Sequence, residues 1–224
     1  MSAASPSLRS STNNMIITPA LLASTFDEFS RQLTHVAGLF DYAQIDVMDG
    51  KLVTSTSFKE IERIATFPHQ RYELHLMVED PLAEMKKWQG IPGVFRVIFH
   101  AEAKADPLAV IALAREAGWG VGMALNPETP LSAAEPYLDG LDLVLFMTVH
   151  PGQQGAPFVP EVLDKIRQFM ALPEHPLCAI DGSVNKTNIK ELKDLGVDIV
   201  NVGSALTKAQ NPKEAYQELQ KAVL

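Results

Sequence analysis

The sequence predicts a single (β/α)8 barrel of the TIM type, and three observations carry the prediction. From Met15 onward, short apolar runs rich in β-branched residues alternate eight times with longer, mostly amphipathic connecting stretches. Helix-boundary residues stand where that alternation needs them: Pro81 and Pro107 open first turns behind a capping Asp, and Gly38, Gly118 and Gly196 close last turns. No GxGxxG follows the first strand and no P-loop occurs, which disfavours the alternative, a doubly wound open sheet.

In chain order, IITPALL (16–22) is the first expected strand and FDEFSRQLTHVAG (26–38) its helix. YAQID (42–46) and YELHL (72–76) follow as strands, then the helix PLAEMKKWQ (81–89). VFRVIFH (94–100) leads into PLAVIALAREAG (107–118), a helix ending on glycine. GVGMAL (120–125) and LDLVLFM (141–147) are the fifth and sixth strands, and FVPEVLDKIRQFMA (158–171) the next helical pattern. LCAID (177–181), NKTNIKELKDLG (185–196), DIVNVG (198–203) and NPKEAYQELQKAVL (211–224) complete the repeat. Eight such units in about 210 residues make a barrel near the short end of its usual size. The barrel is assigned to residues 15–224, and residues 1–14, rich in Ser and Asn, to a disordered tail without the apolar run of a secretory signal.

Composition narrows the function. The 224 residues are 46% hydrophobic and 21% charged, enough for one large core. A net charge of −8, with 19 Lys+Arg against 27 Asp+Glu and no basic run, argues against a nucleic-acid surface. An anionic ligand must then be held by local geometry. About 18 consecutive apolar residues, the length of a membrane span, occur nowhere, so no membrane partner and a cytoplasmic location are expected. The one cysteine, Cys178, sits in an apolar strand and reads as a small buried hydrophobe.

In such a barrel the loops after the strands build the active face. Asp46, His75, His100, His150 and Asp181 fall at or just beyond strand C-termini and are expected to converge on one mouth. Asp46 and Asp181, on strands 2 and 7, come from nearly opposite walls; two carboxylates flanking one carbon can remove a proton on one side and return it on the other. A carboxylate that takes a proton next to a carbonyl needs help in stabilising the enediolate, and His75 with the two aspartates suits Zn, Fe, Mn or Co. Gln44 shares its strand face with Asp46 and could reach the same site. Three glycine-bearing segments, PGQQGAPF (151–158), DGSVNKTN (181–188) and VGSALT (202–207), end strands 6, 7 and 8, where backbone N–H groups commonly hold a phosphate.

Taken in order, IDVMDG (45–50), ELHLMV (73–78), FHAEA (99–103), NPETPL (126–131), MTVHPG (147–152), AIDGS (179–183) and VGSA (202–205) resemble the motifs of the ribulose-phosphate 3-epimerase family. The resemblance runs from Ile16 to about Leu219. It implies interconversion of D-ribulose 5-phosphate and D-xylulose 5-phosphate, or of a related hexulose 6-phosphate, by proton transfer at C3 with a divalent metal, in a homo-oligomer. By the same resemblance Asp46 and Asp181 are the acid/base carboxylates and metal ligands, and His75 is a third ligand. Gly152, Gly155, Gly182, Ser183, Gly203 and Ser204 fall at phosphate-binding positions, and Met48, Met77 and Met147, with His100, line the substrate.

The departures from the family pattern are equally specific. A metal-binding histidine two residues before the first aspartate is here Gln44, a substrate-contacting serine is Ala20, GFGGQ is replaced by GQQGA, and the second glycine of DGG is Ser183. Three roles for Gln44 follow: a metal ligand through its oxygen, a bystander to three protein ligands and water, or a donor to a substrate oxygen in a site without metal. The sequence therefore predicts either a ketose-phosphate 3-epimerase or a phosphosugar-binding barrel without turnover. A changed reaction on another ketose phosphate is the third reading, with Lys51 and Lys104 the nearest basic groups.

Overall fold

The computed structural model describes residues 15–67, 70–151 and 155–223. Parallel strands β1 (Ile16–Leu21), β2 (Ala43–Met48), β3 (Tyr72–Met77), β4 (Val94–His100), β5 (Gly120–Leu125), β6 (Leu143–Met147), β7 (Leu177–Asp181) and β8 (Ile199–Val202) close into a barrel in sequence order, β8 pairing with β1. The expected tail and the residues Gly152, Gln153 and Gln154 lie outside the described residues.

Helices α1 (Phe26–Val36), α2 (Pro81–Trp88), α3 (Pro107–Glu116), α4 (Val162–Met170), α5 (Ile189–Asp194), α6 (Ser204–Thr207) and α7 (Pro212–Ala222) form the outer layer. Their ends carry the chemistry expected of them. Asp80 accepts from the Ala83 amide at 2.9 Å and Asp106 from the Leu108 amide at 3.1 Å, each cap contributing about 1 kcal/mol. Gly38, Gly118 and Gly196 take φ of 75°, 74° and 90°, the left-handed conformation that ends a helix without a Cβ clash. Among the described residues two crossovers lack an α-helix: a 3-10 turn, Ile61–Thr66, lies between β2 and β3, and two more, Leu131–Ala133 and Glu135–Gly140, join β5 to β6. The short helix α6 was not anticipated either.

Alternation along the strands divides the core in two. Outward residues such as Ile45, Leu74, Val97, Phe146 and Val200 pack against Phe29, Val110, Leu163 and Leu192 of the helices. Inward residues Ile98, Leu143, Leu145, Met147, Ala179 and Ile199 fill part of the barrel interior. The rest of that interior is polar: Thr18, Gln44, Asp46, Glu73, His75, Arg96, His100 and Asn201 are all buried. Near the amino-terminal end of the strands, Arg96 donates to Glu73, a fully buried ion pair that also reaches the Tyr42 hydroxyl at 3.4 Å. Such a pair tolerates loss of neither partner. Cys178 is buried as expected, and burial pushes its thiol well above the ordinary range. No helix among the described residues is long and apolar enough to cross a membrane.

Candidate active site

Strand register brings the polar side chains together. Asp46 lies level with His75 across the β2/β3 pair, and Asp181 level with Asn201 across β7/β8. Gln44 stands two residues before Asp46 and so on the same face. Side chains from opposite walls therefore meet in the middle of the barrel.

They meet as a ring of donors and acceptors. Gln44 Nε2 donates to Asp46 Oδ1 at 2.9 Å and to Asp181 Oδ2 at 2.5 Å. His75 Nδ1 lies 3.1 Å from the same Asp46 oxygen and 3.3 Å from the same Asp181 oxygen. A carboxylate only accepts, so the amide nitrogen of Gln44 must face the aspartates. Its oxygen faces the other way and accepts from Asn201 Nδ2 at 2.5 Å.

Burial opposes the charge on His75, but hydrogen bonds to Asp181 and Asp46 outweigh it and push the imidazole up to about 10. As an imidazolium it donates from both nitrogens, its Nε2 to His100 Nε2 at 2.9 Å. Burial holds His100 below its ordinary range, so it is neutral. Its Nδ1 donates to Glu102 Oε2 at 3.1 Å. Burial raises Asp46 to about 6, helped by the charge on Asp181 and resisted by the bonds from His75 and Gln44.

Asp46, His75 and Asp181 form the floor of an open cavity at the barrel mouth. Ala20, Met77 and Met147 are on its walls, and Gly155, Gly182, Ser183, Gly203 and Ser204 on its rim. Gly182 needs to be glycine: its φ is 122°, and a Cβ would stand 2.7 Å from Val149 Cγ2. Ser183 follows in the left-handed region at φ 50° and donates its hydroxyl to the Ala156 carbonyl.

A family model described as the ribulose-phosphate 3 epimerase family matches residues 16–207. The chain belongs to the ribulose-phosphate 3-epimerase family. It is 34% identical to ribulose-phosphate 3-epimerase of Mycobacterium bovis over 223 residues, 94% of either chain. It is also 34% identical to ribulose-phosphate 3-epimerase 2 of Cupriavidus necator, over 90% of this chain and 88% of that one. Among solved structures, 3-hexulose-6-phosphate synthase from Salmonella typhimurium superimposes with a TM-score of 0.70 at 19% identity, covering 93% of this chain and 98% of that one, a likeness of fold.

In this family member the residues singled out from sequence fall into two groups. Asp46, His75 and Asp181 converge with Gln44 beside them, and the described glycines and serines gather at the rim. Others stand apart. His100 is fully buried behind His75, rings stacked at 5.0 Å, and does not line the cavity. Met48 packs with Val53 and Met77 rather than on the cavity wall. His150, expected at the mouth, is exposed and lies 3.0 Å from Glu128. Lys51 is exposed and Lys104 is paired with Glu79 at 2.8 Å. Asn201 and Glu102 were missed from sequence, although Asn201 has the inward parity of Gly203 and Glu102 follows His100 by two.

The donor set admits a divalent ion once His75 gives up its Nδ1 proton, since a ligating imidazole must be neutral. One ligand atom each from Asp46, His75 and Asp181 lie within 4.8 Å of one another, a mixed nitrogen and oxygen set of the kind that binds Zn, Fe(II), Mn or Co. In this arrangement the Gln44 oxygen is turned to Asn201 and its nitrogen to the two carboxylates, where it would be a second-layer donor to an ion held by them.

Proposed function

We propose that the chain is a ketose-phosphate 3-epimerase acting on D-ribulose 5-phosphate, D-xylulose 5-phosphate or a related hexulose 6-phosphate. The observation that carries the proposal is the meeting of Asp46 and Asp181, from opposite barrel walls, on the floor of a cavity rimmed by glycine-bearing loops. The proposal includes a cytoplasmic enzyme, assembled as a homo-oligomer, whose ligand is a soluble phosphosugar.

The phosphate is assigned to the rim formed by Gly155, Gly182, Ser183, Gly203 and Ser204, with Gly152, which lies outside the described residues, as an expected sixth contributor. That end fixes the sugar so that C3 lies over the two carboxylates. One aspartate takes the C3 proton, leaving an enediolate across C2 and C3, and the other delivers a proton to the opposite face, inverting the centre. A carboxyl near pH 6 such as Asp46 suits both tasks, since it is a stronger base than an ordinary aspartate and still gives its proton back. A divalent ion held by Asp46, His75 and Asp181 would polarise the substrate oxygens as a Lewis acid. Met77 and Met147 keep water from the intermediate.

The test is incubation with ribulose 5-phosphate in deuterated water with Zn, Mn, Fe(II) or Co added. Xylulose 5-phosphate carrying deuterium at C3 is expected, and its loss in D46N and D181N. The buried amide of Gln44 among the acid groups favours the second reading, a phosphosugar-binding barrel without turnover; saturable binding with neither product nor deuterium, across ketose phosphates and metals, would establish that reading instead.

A further inference from the structure

We infer that Asn201 is a positioning residue that locks the Gln44 amide as a double donor to Asp46 and Asp181. The inference deepens the epimerase proposal and rests on its assignment of those aspartates to proton transfer. Asn201 is on the inward face of β8 and 1% exposed, it is not among the residues lining the cavity, and its side chain donates to Gln44. Its Nδ2 donates to Gln44 Oε1 at 2.5 Å, and Gln44 Nε2 donates on to Asp46 Oδ1 and Asp181 Oδ2.

A primary amide has two orientations that exchange its nitrogen and oxygen. The aspartates demand the nitrogen, whereas a cation held by them would attract the oxygen. Asn201 sides with the aspartates. It presents a donor to Gln44 Oε1, so turning the Gln44 amide would set two donors against each other unless Asn201 turned with it. The carboxylates set the direction of the chain, and Asn201 adds a second amide that must turn before Gln44 can.

A second observation marks the cost of this arrangement. Asn201 Oδ1 is buried without a hydrogen-bond partner among the described residues, and so is a polar atom that an aliphatic side chain would not have brought there. Packing alone does not call for asparagine at this position. The donation to Gln44 does, and its consequence is that the two carboxylates stay tied to one nitrogen while Gln44 stays out of the ligand set.

The test uses the full-length protein with glutamine side-chain amides labelled with nitrogen-15, the Gln44 signal being assigned by its disappearance in Q44M. In metal-free protein the Gln44 NH2 protons should exchange slowly with solvent, and N201L should speed that exchange about tenfold, the effect of one lost hydrogen bond. On the rate of C3 proton exchange, N201L should cost about tenfold with Gln44 present and nothing further in the Q44M background. Unchanged amide exchange in N201L, or an equal loss of rate in both backgrounds, overturns the lock and leaves Asn201 a packing residue. Should N201L not fold, N201V and N201T, alike in shape and differing in one donor, replace it; equal amide exchange in those two overturns the lock. If wild-type protein exchanges no C3 protons the epimerase proposal fails, and the amide measurement still decides the lock.

Discussion

Two glycines at the cavity rim are glycine for different reasons. Gly182 has a backbone that excludes a side chain, with φ 122° and Val149 in the way. Gly203 has φ −80°, and a Cβ there would meet nothing nearer than the Ala20 carbonyl at 3.9 Å. It is therefore open space beside the cavity that a methyl group would fill. We expect Gly203→Ala to raise KM for the ketose phosphate roughly tenfold, through lost close approach of the backbone, with kcat less affected and the melting temperature nearly unchanged. Steady-state kinetics and a thermal melt check this, and an unaltered KM would remove Gly203 from the phosphate site. Much of the site was legible at this scale, because Asp46, His75 and Asp181 stand at or within two residues of the C-terminal ends of their strands with the same inward parity. Asn201 was not legible, since its partner Gln44 is 157 residues away and only barrel closure joins them. His150 looked equivalent to His75 in sequence, but it stands beyond its strand and faces solvent.

At the scale of elements, all eight strands were legible, because each is a short apolar run bounded by turn or capping residues. The crossovers were less so. The segment from Asn126 to Gly140 gives two 3-10 turns, a form that apolar periodicity does not announce. What holds its start is Lys165 of α4, which burial pulls below its ordinary range and whose Nζ donates to the carbonyls of Asn126, Pro127 and Thr129 at 2.7, 3.0 and 2.5 Å. From the other side Glu102 accepts from the Asn126 amide at 3.0 Å and from the Thr129 hydroxyl. Lys165→Met keeps the aliphatic stem and removes all three donations. It should cost about 2 kcal/mol and raise amide exchange across residues 126–130, read by urea unfolding and hydrogen-exchange mass spectrometry. Protection unchanged in that segment would show that the loop holds itself.

The molecule as a whole is tied together by a chain of hydrogen bonds from the aspartates through His75 and His100 to Glu102, and from there to the β5–β6 crossover. Glu102 is the far end of that chain, and its carboxyl is shifted in the opposite direction to that of Asp46. Burial pulls its carboxyl up, but bonds from His100, Thr129 and the Asn126 amide win and lower it to about 2 from an ordinary 4.5. The folded state thus binds this proton more weakly than the unfolded chain. The stabilisation is present in full above pH 4.5 and is lost as pH falls toward 2, because the unfolded chain takes up the proton first. With a side chain only 25% exposed, the effect should approach, without exceeding, about 3 kcal/mol. Glu102→Gln keeps the shape and an acceptor oxygen and removes the titration. Urea unfolding followed from pH 6 to pH 3 should therefore show the stability of the wild type falling toward that of the variant as acid is added, with the gap closing mainly below pH 4.5. Parallel curves over that range would mean that Glu102 is no anchor of the fold and that the chain from the active site to the crossover ends at His100.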